Sequence, residues 1–121
     1  ELAELVAREH TAVHRCLDAK PASTVRLLER SDAIRKPARF REALLACECD
    51  ARGRLGLEAC DYPQRAWLNA MLDAVLAVDT APIAQDAMAR GLRGPQIGEQ
   101  IHVARVDAVR AAARALGPVQ D

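Results

Sequence analysis

The chain has 121 residues, half of them hydrophobic, with 17 basic side chains balanced by 17 acidic ones; it can bury one core and carries no global field toward nucleic acid or an anionic membrane. Aromatic content is 2%, from Phe40, Tyr62 and Trp67, which excludes the stacking platforms of single-strand RNA readers and leaves recognition of backbone and shape. The cysteines Cys16, Cys47, Cys49 and Cys60 contain no Cys-x-x-Cys pair, which excludes a zinc ribbon or a thioredoxin-type site. They read as small, mostly buried thiols. Positive charge is almost all arginine, with Lys20 and Lys36 the only lysines, and arginine's planar fork suits phosphate and carboxylate equally.

From Leu2 to Leu17 the apolar positions Leu2, Leu5, Val6, Val13 and Leu17 keep to helical spacing, predicting a first helix that ends near Asp18. Lys20-Pro21 breaks it, and Ser23 offers a side-chain oxygen to cap a second helix bearing Val25, Leu27, Leu28 and Ile34. Pro37 stops that helix. Ala38 to Ala51 has the cleanest periodicity, with Phe40, Ala43, Leu44, Cys47 and Ala51 on one face, and Gly53 suits the left-handed position that ends a helix. Asp61 can cap and Pro63 can open a fourth helix whose stripe is Trp67, Leu68, Met71, Leu72 and Val75. Asp79-Thr80 before Pro82 starts a shorter helix ending at Gly91. Gly94-Pro95 opens the last one, where Ile97, Ile101, Ala104, Ala108, Ala111 and Ala115 form an alanine-rich face that Gly117-Pro118 terminates. No stretch alternates as a strand would, so the expected fold is all-α, a bundle or array of about six helices.

His10 and His14 stand four apart on the first helix, a spacing at which two imidazoles can share a metal. Thr11 follows the first histidine where the zinc-protease pattern requires glutamate. Adding Asp32 gives a histidine–carboxylate set of the kind that suits Mn2+ or Ni2+, against the alternative of two partly exposed helix histidines. Arg35, Lys36, Arg39 and Arg41 form the densest basic run, followed by Arg52 and Arg54. These are anion contacts or partners of Glu48 and Asp50 at i,i+4 spacing. Arg93 and Gly94 precede a helix N-terminus able to hold a phosphate, or simply connect two helices; the lysine and hydroxyl of a nucleotide loop are missing. There is no Gly-x-Ser-x-Gly, no evident Cys–His nucleophile pair, and His102 reads as a satisfied boundary histidine.

Taken in order, Arg35-Lys36-Pro37, Asp50-Ala51-Arg52-Gly53-Arg54, Asp61-Tyr62-Pro63-Gln64 with Trp67-Leu68, then Ile97 and Glu99, the chain resembles the C-terminal part of bacterial CCA-adding enzymes, the HD-domain-containing tRNA nucleotidyltransferases. The resemblance implies a parent that adds the 3′-CCA end to tRNA from CTP and ATP with Mg2+. The parent's catalytic head, a Gly-Ser motif with two metal-binding aspartates on a sheet, has no counterpart here. It also implies that residues 1–34 end an HD-type helical region and that 35–121 are the helical body and tail. No catalytic residue is expected in this segment. Candidate tRNA contacts are Arg35, Lys36, Arg39, Arg52, Arg54, Arg93 and Gly94. His10 and His14 resemble later histidines of the HD region and Asp32 its closing aspartate, an incomplete metal set, since the family's His-Asp doublet would precede Glu1 and Thr11 replaces an aspartate. Expected partners are tRNA and the rest of the parent, in the cytoplasm and away from membranes, with a homo-oligomer also compatible. A hydrolytic metal site, and a helical interaction module whose last helix packs a partner, are the competing readings.

Overall fold

The computed structural model describes residues 2–53 and 62–117. Six α-helices fill them, with no strand among the described residues: α1 (Leu2–His14), α2 (Pro21–Arg30), α3 (Pro37–Arg52), α4 (Pro63–Leu76), α5 (Thr80–Ala89) and α6 (Gly94–Leu116). The all-α expectation holds. A short 3-10 turn at Cys16–Asp18 follows α1, so the first helix ends earlier than its apolar spacing suggests.

Prolines set the starts. Pro21, Pro37 and Pro63 each occupy the first position of a helix, where a missing N–H leaves nothing unsatisfied and the ring's fixed φ is already helical. Lys20, before Pro21, is accordingly extended (φ −74°, ψ 156°). This corrects the expected cap at Ser23, which lies inside α2. Asp79 does cap α5, accepting from the Ala81 N–H at 3.3 Å.

The stops divide into two kinds. Gly91 takes φ 83° while the Leu92 N–H reaches the Ala87 carbonyl at 3.0 Å, the backbone closure in which a left-handed residue ends a helix. Asp32 does the same after α2: its φ is 59° and the Ala33 N–H bonds to the Leu28 carbonyl at 2.9 Å. Ile34 therefore belongs to the turn rather than to α2. Gly53, expected in the left-handed region, has φ −78° and remains helical.

α1 packs on α3, α3 on α4, and α6 spans α2, α4 and α5. One core joins α1, α2, α3, α4 and α6: Val13 and Cys16 from the first segment, Val25 and Leu28 from α2, Phe40, Leu44 and Cys47 from α3, Leu68, Met71, Leu72 and Val75 from α4, and Val109 from α6. It draws on residues on both sides of position 34. The α3 and α4 stripes match their periodicity, except that Ala51 and Trp67 are only half-buried. On α6 the buried line differs from the expected one. Val109 is its buried centre, with Val106, Ala112 and Ala113 against the core, whereas Ala111 and Ala115 face solvent. An alanine-rich face leaves the choice of facing to the larger side chains, and here Val109 with Val106 turns to the core while Val103 stays exposed.

Candidate nucleic-acid interface

The Arg52 end of α3 is built into a seam with α4. Arg52 Nε donates to Glu48 at 2.7 Å and Arg65 Nη1 donates to the other Glu48 oxygen at 3.0 Å. One turn-multiple back along the antiparallel pair, Arg41 donates to Asn69 and to Asp73, both at 2.8 Å. The Arg52 guanidinium beside Glu48 holds that carboxyl below its usual range. An open cavity of about 300 Å³ lies over the seam, lined by Glu48, Tyr62, Arg65, Ala66 and Asn69. Arg54 lies outside the described residues.

The other basic cluster sits at the opposite end of α3. Arg39 and Arg52 are separated by thirteen residues of one helix, about 20 Å along its axis, so the structure does not merge them into one patch. Arg35 grips Asp32, through Nε to both oxygens at 2.9 and 3.1 Å and through Nη2 at 2.6 Å. Arg39 Nη2 donates to the Ser31 carbonyl at 2.9 Å, fastening α3 to the turn that Asp32 makes. Lys36, next to Pro37, is exposed. Arg93 is exposed at the start of α6, and its N–H donates to Gln96 Oε1 at 2.8 Å. Pro95 offers no amide, so anion-holding capacity at this terminus narrows to Gly94 and Gln96.

The histidine set does not assemble with Asp32. His10 and His14 stack edge to face with centroids 6.0 Å apart; His10 Nδ1 lies 3.1 Å from the Ala7 carbonyl, a donor's position. His14 Nδ1 lies 2.7 Å from the Tyr62 hydroxyl, while Gln64 Nε2 donates to the His14 carbonyl at 3.1 Å. These contacts clamp the start of α4 to the end of α1. Burial pushes the Tyr62 phenol up, so its O–H stays protonated for this bond. Among the described residues no three His, Cys, Asp or Glu side chains converge on a metal-sized site. Both Asp32 oxygens are engaged by Arg35, so these three residues do not fit a divalent ion. His102 is a satisfied boundary histidine, with Nδ1 3.1 Å from Glu29, and Arg105 at 3.4 Å from the same carboxylate.

Sequence reasoning missed Arg65 altogether and left Arg41 out of the site. Arg41, Leu45, Glu48 and Arg52 share one stripe of α3, and Arg65, Asn69 and Asp73 are four apart on α4, so the polar stripes are legible. Their pairing across two antiparallel helices is not. No helix among the described residues is long and apolar enough to cross a membrane.

No protein-family profile matches the chain, and no solved structure matches it. Among curated proteins it is 58% identical over 115 residues to the Multifunctional CCA protein of Polaromonas naphthalenivorans, covering 95% of this chain and 27% of that protein. It is 62% identical over 109 residues to the protein of the same description from Acidovorax sp. (strain JS42), covering 90% of this chain and 26% of the relative, and 52% identical over 109 residues to that of Leptothrix cholodnii. The chain thus spans about a quarter of the length of the curated relatives it matches. Together with Arg52 and the Tyr62–Gln64 positions that the seam and the His14 clamp put to structural use, this similarity along nearly the whole chain matches it to a C-terminal segment of proteins described as Multifunctional CCA protein.

Proposed function

We propose that these helices form the tRNA-positioning part of a CCA-adding nucleotidyltransferase, whose distant head adds the 3′-CCA end from CTP and ATP. The observation that carries this reading is identity above half across nine-tenths of the chain to proteins described as Multifunctional CCA protein. When bound, Mg2+ would supply its chemistry in that head. The residues of this chain bind and orient: guanidinium groups and helix N-termini grip the phosphate backbone of an A-form stem and fix its register, so that the 3′ end is delivered to the reacting centre. In this proposal residues 1–34 close an HD-type region, 35–121 form the body and tail, and the protein works in the cytoplasm. Contacts fall to Lys36, Arg93, Gly94, Arg54, Arg39 and, by exchanging a carboxylate for a phosphate, Arg35 and Arg52.

Glu48 offers a direct test. In the full-length protein, Glu48→Gln releases Arg52 and Arg65 from their shared carboxylate. If these arginines meet tRNA, affinity rises and the slope of log K against log salt steepens by about one. Arg52→Ala has the opposite effect of the same size. Unchanged affinity and slope in both variants would remove the seam from the interface and leave it a structural ion-pair network.

A further inference from the structure

A second arginine-lined feature shares no residue with the seam or with the candidate tRNA contacts. Between α1 and α2 there is a cavity of about 200 Å³ whose lining includes Arg15, Arg26 and Arg30, the hydroxyl residues Ser23 and Thr24, and Cys16, and no carboxylate. Arg30 is already answered: its Nε and Nη2 donate to Glu9 at 3.0 and 2.9 Å. Arg15 and Arg26 are both exposed, and neither side chain has a hydrogen bond or ion pair among the described residues.

We infer that this α1–α2 cleft is a binding site for a phosphate group, held by Arg15 and Arg26 with Ser23 as a neutral donor. Two unneutralised guanidinium groups beside one concavity repel each other in the free protein, and an anion between them converts that repulsion into paired, charge-assisted hydrogen bonds. The fork of each group matches two phosphate oxygens at once. Ser23 and Thr24 belong to the first turn and a half of α2, where the helix dipole adds to the positive potential. The cleft floor does not oppose it: burial pushes the Cys16 thiol up to about 12, so the sulfur carries no charge at neutral pH. The volume accommodates a phosphate and several waters, each water needing about 30 Å³.

The phosphate comes from one of two sources, the backbone of a bound RNA or a free phosphate-bearing small molecule. Only the first source rests on the tRNA reading. The test follows the arginine Nε–H resonances of the full chain by NMR during titration with inorganic phosphate, against sodium chloride of equal ionic strength. Saturable shifts at Arg15 and Arg26 are expected, with affinity about tenfold weaker in the Arg15→Gln/Arg26→Gln double variant. Neither side chain has a partner to lose, so the variant should fold, and a thermal melt checks this. Binding of tRNA is then compared with that of a control of the same charge change, Arg90→Gln/Arg110→Gln. A greater loss of affinity in the cleft variant supports the site and assigns it to RNA backbone. An equal loss with saturable phosphate shifts supports the site and assigns it to a small molecule. An equal loss with no saturable shift overturns the inference.

Discussion

The α3–α4 seam and the α1–α2 cleft each gather three arginines, and they differ in what answers the charge. On the seam Arg41, Arg52 and Arg65 are met by Asp73, Glu48 and again Glu48 at 2.7 to 3.0 Å. In the cleft Arg30 alone is met, by Glu9, and Arg15 and Arg26 face a cavity without a carboxylate. Equal charge in the sequence therefore stands for two different things in space. On the seam Arg41 and Arg65 crosslink α3 and α4, and its arginines reach a phosphate by giving up a carboxylate, whereas Arg15 and Arg26 in the cleft are unspent.

The sharpest way to test this contrast is at Glu9, the one carboxylate that separates Arg30 from its neighbours. Its side chain is 6% exposed, and the bonds from Arg30 hold its carboxyl below its ordinary value of 4.5. Glu9→Gln should therefore cost about 2 kcal/mol in denaturant unfolding at neutral pH, since it removes charge-assisted hydrogen bonds from a buried group. The pH dependence follows from the sign of the shift. A carboxyl with a folded-state pKa lower than its unfolded one contributes its full stability above pH 4.5, and that contribution is lost as pH falls through the folded value. The acid limb of the stability curve should be shallower in Glu9→Gln than in the parent. The same substitution frees Arg30 to face the cleft, so phosphate binding there should strengthen while stability falls. A variant as stable as the parent would show that Arg30 is as unspent as its neighbours.

Much of this arrangement was legible in the sequence. Helical spacing gave the α3 and α4 stripes because Phe40, Leu44, Cys47, Leu68, Met71 and Leu72 bury on a period that the backbone imposes. Proline and glycine mark the ends of helices, but with a shared ambiguity: Pro21 stops one helix and starts the next, so Ser23, two residues on, lies inside α2 instead of capping it. Asp32 shows a different limit. Its side chain resembles a metal ligand, while the backbone uses the residue as a left-handed stop, and only the φ of 59° reveals that. The cleft was illegible because Arg15, in the turn after α1, and Arg26, on α2, are eleven residues apart, and an arginine's lack of a partner is a property of three-dimensional neighbours alone.

A finer comparison removes one arginine from each region and reads stability rather than binding. Arg41→Ala on the seam loses bonds to Asn69 and Asp73. Asp73 is largely exposed, at 67%, so solvent screening limits the loss to about 0.5 to 1 kcal/mol. Arg26→Ala in the cleft loses a charge without a partner, and its effect should stay within about 0.5 kcal/mol, with a slight gain at low ionic strength as its repulsion with Arg15 is relieved. Salt distinguishes the two signs: raising ionic strength should shrink the Arg41 deficit and also erase the Arg26 gain, because the first screens an attraction and the second a repulsion. If Arg26→Ala proved as destabilising as Arg41→Ala, its guanidinium would be doing the seam's kind of work, and the cleft would lose the free charge that sets it apart.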